Sequence, residues 1–239
     1  VRSYRTFVWK EASLRICSAR SELIVDEVKR LRQVLEDYIA RQPKFLSSLV
    51  PLDLLPDAPE ICRRMAEACR PCGVGPMAAV AGAVAEMCVE AALAAGAEEA
   101  IVENGGDIFI ASPRAVLVGL YAGAHALSGR LAFRIEPDRL PLSVCSSSSR
   151  FGHSLSFGDC DLATIVARDG ALADAAATLT GNSVKTVDDV EPTLEKVMGI
   201  SGIQGVLIIK DDRVALAGDL PLLVRSADPT FAGKTFHAQ

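Results

Sequence analysis

Asp174 and Thr178, separated by Ala175-Ala176-Ala177, fall one helical turn apart. Their oxygens therefore share a face and could hold a hard cation such as Mg²⁺, which takes oxygen ligands and keeps several waters. The plainer reading is an Asp in the first turn of a helix, placed to complement the helix dipole. Glu103-Asn104-Gly105-Gly106-Asp107 gathers two carboxylates and an amide around a backbone free to take positive φ. Between two apolar runs the same residues also read as a hairpin turn. Ser146-Ser147-Ser148-Ser149-Arg150 leads into Phe151-Gly152-His153-Ser154-Leu155-Ser156. Its hydroxyls, guanidinium and imidazole fit a phosphate or pyrophosphate loop, and a polar loop is the alternative. A serine nucleophile with His153 as base is a further reading, although no nucleophile-elbow signature is present. Cys69-Arg70-Pro71-Cys72 could be a redox pair or half a zinc site, without a second such pair in the chain. Cys145, beside the serine run, is the other thiol of interest.

These residues need a frame, and the most distinctive element able to supply it starts at Gly73-Val74-Gly75-Pro76-Met77. Proline is suited to a first helical position, where its missing N–H has no partner to lose. Ala78, Ala79, Ala81, Gly82, Ala83 and Ala85 then leave almost no side-chain surface, so another backbone or a ligand can approach closely. The N–H groups of that first turn are expected to be open to an anion. The pattern predicts a helix over 76–95, closed by Gly96.

Around it, 22–41 repeats apolar residues at Ile24, Val28, Leu31, Leu35, Tyr38 and Ile39, which predicts an amphipathic helix. Alternation predicts a hairpin from 4–9 and 14–17 and strands over 100–103, 107–111, 115–121, 130–135, 142–145 and 161–167. A packed loop is expected over 43–59 and helices over 59–69, 171–180 and 191–198. Strands 206–209 and 214–216 form a last hairpin about Asp211-Asp212-Arg213. Short strands joined by short turns imply antiparallel sheets, so the class is α+β. One domain is expected over 1–239, with a hairpin and helix in 1–42, the motif-bearing core in 43–220 and a tail from 221, frayed after Arg225.

Of the 239 residues, 50% are hydrophobic and 23% charged, the balance of a globular chain with a large core. A net charge of −5 gives no electrostatic footprint for nucleic acid. No run approaches the roughly 18 apolar residues needed to span a bilayer, and no signal-peptide core is evident at the start, so a cytoplasmic location with no membrane partner is expected. Seven cysteines, an odd number, suit reduced thiols better than a disulfide framework. Small apolar helix faces also serve subunit contacts, which leaves a homodimer open.

Taken in order, Gly-Val-Gly-Pro-Met-Ala-Ala-Val-Ala-Gly at 73–82, Glu-Asn-Gly-Gly-Asp at 103–107, Cys-Ser-Ser-Ser with Gly-His-Ser-Leu-Ser at 145–156 and Ala-Asp-Ala-Ala-Ala-Thr at 173–178 resemble the ApbE-like superfamily, and within it the cytoplasmic, thiamine-biosynthesis-like branch. The resemblance covers about 43–220. It implies an ApbE-like, T-fold-related α+β fold, in which characterised members are Mg²⁺-dependent transferases that split FAD and attach FMN to a Ser or Thr of an acceptor protein. Asp174 and Thr178 match the family's Mg²⁺ ligands. Asn104, Gly105, Gly106 and Asp107 match its flavin-pocket segment with one residue fewer. Gly75, Met77, Ala81 and Gly82 line the same pocket, with Glu103 and Asp107 on sugar or base. Ser146, Ser147, Ser148, Ser149, Arg150 and Ser156 would stand at the phosphates, and His153 and Asp174 would be the catalytic pair. The implied ligands are FAD or FMN with Mg²⁺, and the implied partners a small phosphorylated molecule and an acceptor protein. Two departures stand out. Val80-Ala81-Gly82 replaces the family's Ala-Lys-Gly, and Ser156-Phe157 replaces its Asp-Pro. The residues thus also admit a flavin- or nucleotide-binding module without catalysis, or a thiol redox protein using Cys69 and Cys72.

Overall fold

A computed structural model describes residues 2–10, 12–123, 125, 127–148 and 158–226. Its main body is an antiparallel sheet of eight strands covered on one face by helices and on the other by a small sheet. Strands β1 (Arg5–Trp9) and β2 (Ala12–Ser18) form the first hairpin, β3 (Ala100–Asn104) and β4 (Asp107–Ala111) the second. β7 (Leu142–Ser147), β8 (Leu162–Ala167), β9 (Ile203–Lys210) and β10 (Arg213–Gly218) complete the sheet in the order β1-β2-β3-β4-β7-β8-β9-β10. The small sheet has the order β11-β6-β5, from β5 (Val116–Leu120), β6 (Leu131–Ile135) and β11 (Leu222–Arg225). Residues 222–225, assigned to a tail from sequence, are thus a strand paired with β6.

The helices follow from the predicted periodicities, with shifted ends. α1 (Ser21–Arg41) buries Ile24, Val28, Leu31, Leu35 and Tyr38, the stripe read from the sequence. The segment expected as loop contains one helical turn, α2 (Lys44–Ser47), anchored by Phe45, whose ring meets Tyr38 edge-on at 5.2 Å. α3 (Glu60–Cys72) runs to Cys72 and stops at Gly73, whose φ of 67° suits a residue without a side chain. The central helix is not one α-helix from Pro76. It starts as a 3-10 turn, Pro76–Ala79, and becomes α4 (Val80–Ala94). α5 (Gly170–Ser183) and α6 (Val190–Met198) close the layer.

Together, Pro76–Ala94 is long and apolar enough to cross a bilayer, which corrects the expectation that no stretch approaches that size. Within the fold α4 packs against α1, α5, β3 and β4, the setting of a core helix.

Side-chain parity along the strands decides what can reach the helices. Val102, Phe109, Ala111, Cys145, Ala163 and Ile165 lie in the core shared with the helices. Ile101, Ile108, Ile110, Val144, Leu162 and Val166 lie in the core shared with the small sheet. Alternation then puts Asp107 on the helix side of β4 and Glu103 on the opposite side of β3.

Candidate functional site

The site is built where α4 crosses α5 above β4 and β7. The crossing is possible because it is made of glycine: a Cβ on Gly82 would stand 2.1 Å from the Gly170 carbonyl oxygen and 2.8 Å from the Asp174 Cβ. At that separation the Asp174 carboxylate reaches the start of α4. Its Oδ2 accepts the Gly82 N–H at 2.9 Å, and the Ala81 N–H also bonds to it. These are first-turn donors, which have no acceptor inside their own helix. At these two amides the chain's own aspartate is the acceptor. Nor does Asp174 serve the start of its own helix, where Asp169 caps α5 by accepting the Leu172 N–H at 2.8 Å.

Asp107, at the start of β4, faces the same space. Its carboxyl meets the Cys145 thiol and accepts the Ser146 N–H, while its Oδ1 is buried with no hydrogen-bond partner. Burial pushes the Asp107 carboxyl well above the ordinary carboxylate range; burial, then repulsion from Asp107, does the same to Asp174. Among the described residues no lysine or arginine acts on either group. Two desolvated carboxylates that repel each other and lack a positive partner are unfavourable as anions.

A divalent cation would meet that need. Asp174, the orphaned Asp107 oxygen and the half-buried Thr178 hydroxyl one turn along α5 are all hard oxygen donors, the chemistry Mg²⁺ prefers. Among the described residues no group of three or more His, Cys, Asp and Glu is assembled as a ligand cluster. Such an ion would therefore keep several positions for water or phosphate oxygen.

The remaining expected residues divide by position. Asn104 joins the site: its side-chain amide donates to the Ala81 carbonyl at 3.4 Å, tying the β3–β4 turn to α4. Gly105 and Gly106, at φ of 71° and 128°, make that turn, so the hairpin reading of these residues holds. Glu103 does not join it. On the other face, it pairs with Arg15 at 3.1 Å and leaves Oε1 without a partner; burial pushes its carboxyl up to about 7 despite Arg15. Ser146 is committed across the sheet to Thr164, with 2.9 Å between hydroxyl oxygens. Ser147 turns to α5, where its Oγ would stand 2.9 Å from a Cβ on Gly181. Ser148 is the last described residue before 158. Ser149, Arg150, His153 and Ser156 lie outside the described residues. Met77 is half-buried at the entry to the central helix. Gly75 is fixed by contact with the chain at Ser48, since a Cβ on it would be 1.7 Å from the Ser48 carbonyl oxygen.

The thiol reading loses its physical basis. Cys69 donates to the Gly75 carbonyl at 3.2 Å and so braces the entry to the central helix. Burial pushes both Cys69 and Cys72 up, the latter to about 12, so neither is a thiolate near neutrality. The pair also sits at the C-terminal end of α3, where the helix dipole disfavours an anion. All seven cysteines are buried free thiols.

One residue of the crossing escaped sequence reasoning. Glu86 accepts the Gly170 N–H at 2.8 Å from the α4 side. Its signal was legible, because Gly82-Ala83-Val84-Ala85-Glu86 and Gly170-Ala171-Leu172-Ala173-Asp174 share one pattern of glycine with an acid four residues on.

The fold is that of the ApbE flavin transferases. The Flavin Transferase ApbE from Vibrio cholerae superimposes with a TM-score of 0.58 at 13% identity, over 91% of this chain and 97% of its own. The ApbE protein from Thermotoga maritima gives a TM-score of 0.54 at 13% identity, over 97% and 98%. The chain belongs to the family described as AbpE bacteria, which it matches over residues 7–197. It is 44% identical over 202 residues to a UPF0280 protein of Methanocella arvoryzae, covering 84% of this chain and 82% of that one. It is 47% identical over 196 residues to a UPF0280 protein of Methanothrix thermoacetophila, covering 82% of each.

Proposed function

We propose that the α4–α5–β4 site binds a flavin nucleotide through its phosphates, with Mg²⁺ held by Asp174, Thr178 and Asp107, and that it acts on the FAD pyrophosphate. The observation that carries this reading is the pair of buried carboxylates, one with an unpartnered oxygen, in a place without a basic side chain among the described residues. An anionic ligand cannot approach such a pair alone. Mg²⁺, when bound, neutralises charge on the carboxylates and on the pyrophosphate oxygens.

The chain's own groups then have separate tasks. The Ala81 and Gly82 N–H groups hold Asp174 in one orientation. Asn104 fixes the β3–β4 turn against α4, and so the position of Asp107. Fully buried Cys145 and the Ser146 N–H support Asp107 from β7. Ser148, Ser149 and Arg150 are assigned to phosphate and His153 to the proton of the attacking hydroxyl. In transfer, that hydroxyl oxygen on an acceptor protein bonds to the FMN phosphorus as the bond to the AMP oxygen breaks. In hydrolysis, water takes the hydroxyl's place. We assign the chain to the cytoplasm on the same reading.

A second reading keeps the ligand without the reaction. It is favoured by Ala81, which stands where the transferases carry lysine and has no cationic head to stabilise charge in the transition state. The two are separated by titrating the protein with FAD and FMN, with and without Mg²⁺, by flavin fluorescence, and analysing the same mixtures for FMN and AMP. Mg²⁺-dependent binding with product, lost in Asp174→Ala, supports catalysis. Binding without product supports the module. No flavin binding in either condition overturns both.

A further inference from the structure

We infer that Glu86 is a positioning residue for this site: from α4 it holds the first turn of α5 in the register that delivers Asp174 to Ala81 and Gly82. The inference rests on the proposed metal-assisted function for its consequence, but its geometry stands apart. Hydrogen bonds cross the helix pair in opposite directions. Asp174 of α5 accepts the Gly82 N–H of α4 at 2.9 Å, and Glu86 of α4 accepts the Gly170 N–H of α5 at 2.8 Å. Each acid lies four residues beyond the glycine of its own helix, so the two bonds flank one glycine-to-glycine contact.

That arrangement constrains sliding. With Asp174 alone, α5 could shift or rotate about a single side chain while the small residues at the contact offered little resistance. With both bonds, a shift that keeps one partner lengthens the other. Glu86 also satisfies a donor that α5 cannot satisfy itself, since Gly170 is its first residue and Asp169 already serves Leu172. Unlike Asp174, Glu86 lies on an open groove with Arg64, Glu67, Glu90, Asp169 and Ser201. Removing a carboxylate from the lining of an open groove leaves no sealed cavity, so its loss should leave the fold standing while the register loosens. Supporting partners of this kind typically change metal affinity by roughly ten- to a hundredfold.

The test compares wild type, Glu86→Ala and Glu86→Gln, whose amide oxygen can still accept the Gly170 N–H. Amide hydrogen exchange at Ala81 and Gly82 is measured on each protein without added metal, and Mg²⁺ is then titrated calorimetrically. Faster exchange at both amides and an affinity roughly tenfold or more weaker in Glu86→Ala, with Glu86→Gln near wild type, is the expected result. Unchanged exchange and affinity in Glu86→Ala overturns the inference, as does equal damage in Glu86→Gln, because the acceptor role would then be wrong. Should wild type bind no Mg²⁺, the proposed metal function fails, while the exchange rates still decide whether Glu86 sets the register.

Discussion

Gly82→Ala tests the crossing on which the site depends. The added methyl would stand 2.1 Å from the Gly170 carbonyl oxygen, 2.7 Å from its carbon and 2.8 Å from the Asp174 Cβ. Two of those atoms are backbone, so no side-chain rotation relieves the clash, and the helices must part by about 1 Å to restore ordinary packing. Overpacking of this kind costs about 1–3 kcal/mol. Stretching the bond from Gly82 to a carboxylate adds about 1.5–3 kcal/mol where it is lost. Alanine's better helix propensity returns about 1 kcal/mol. The expected net loss is roughly 1.5–5 kcal/mol, a fall in Tm of about 3–20 °C for a chain of this size. Thermal unfolding of Gly82→Ala beside Gly199→Ala measures it. Gly199 has φ −72° and its nearest prospective contact is at 3.3 Å, so alanine there should change stability by no more than about 1 kcal/mol. A Gly82→Ala protein as stable as wild type would refute the close crossing.

Asp174→Asn should abolish Mg²⁺ binding in calorimetry yet leave Tm equal or higher. Its carboxyl is raised by burial and by Asp107, so the charged form is the unfavourable one, and the gain should be larger at pH 8 than at pH 5. Glu103 is raised to about 7 by burial, so the stability it allows is fully present below its unfolded value and is lost as pH climbs through the folded one. The loss between pH 4.5 and 8 is on the order of 3 kcal/mol, and Glu103→Gln should flatten that part of a Tm-against-pH profile. Iodoacetamide should leave native Cys69 and Cys72 unmodified by mass spectrometry, and Cys72→Ala should bind flavin as wild type does. Modification of the native pair with loss of binding would restore the thiol reading.

The fold was legible where periodicity was strong. The stripe from Ile24 to Tyr38 predicted α1 to within one residue of its start, and the runs at 100–103, 107–111 and 142–145 predicted strands of the main sheet. The 3-10 entry at Pro76–Ala79 was not legible, because it depends on Gly75 meeting Ser48 from a distant segment. β11 was hidden by its short, half-exposed sequence.

At the site, Asp174 and Thr178 could be picked out by spacing, but the capture of Asp174 by α4 requires knowing which helices cross. Glu103 and Asp107 mislead for a geometric reason. Four apart, they would share a face of one strand, but the Gly105-Gly106 turn lies between them. Asn104 pairs with Asp107 and Glu103 with Ile108, and cross-strand partners share a face. The turn therefore sends the two carboxylates to opposite sides of the sheet.

The central claim is that a cation held at Asp174 meets the ligand's phosphates. Its most direct test is a crystal structure of the protein with FAD and Mn²⁺ in place of Mg²⁺, with the metal located by anomalous scattering. The account predicts a peak bonded to Asp174 and to a flavin-nucleotide phosphate oxygen, with Asp107 and Thr178 beside it. Flavin bound with no metal at Asp174, or a metal peak away from the α4–α5 crossing, would contradict it.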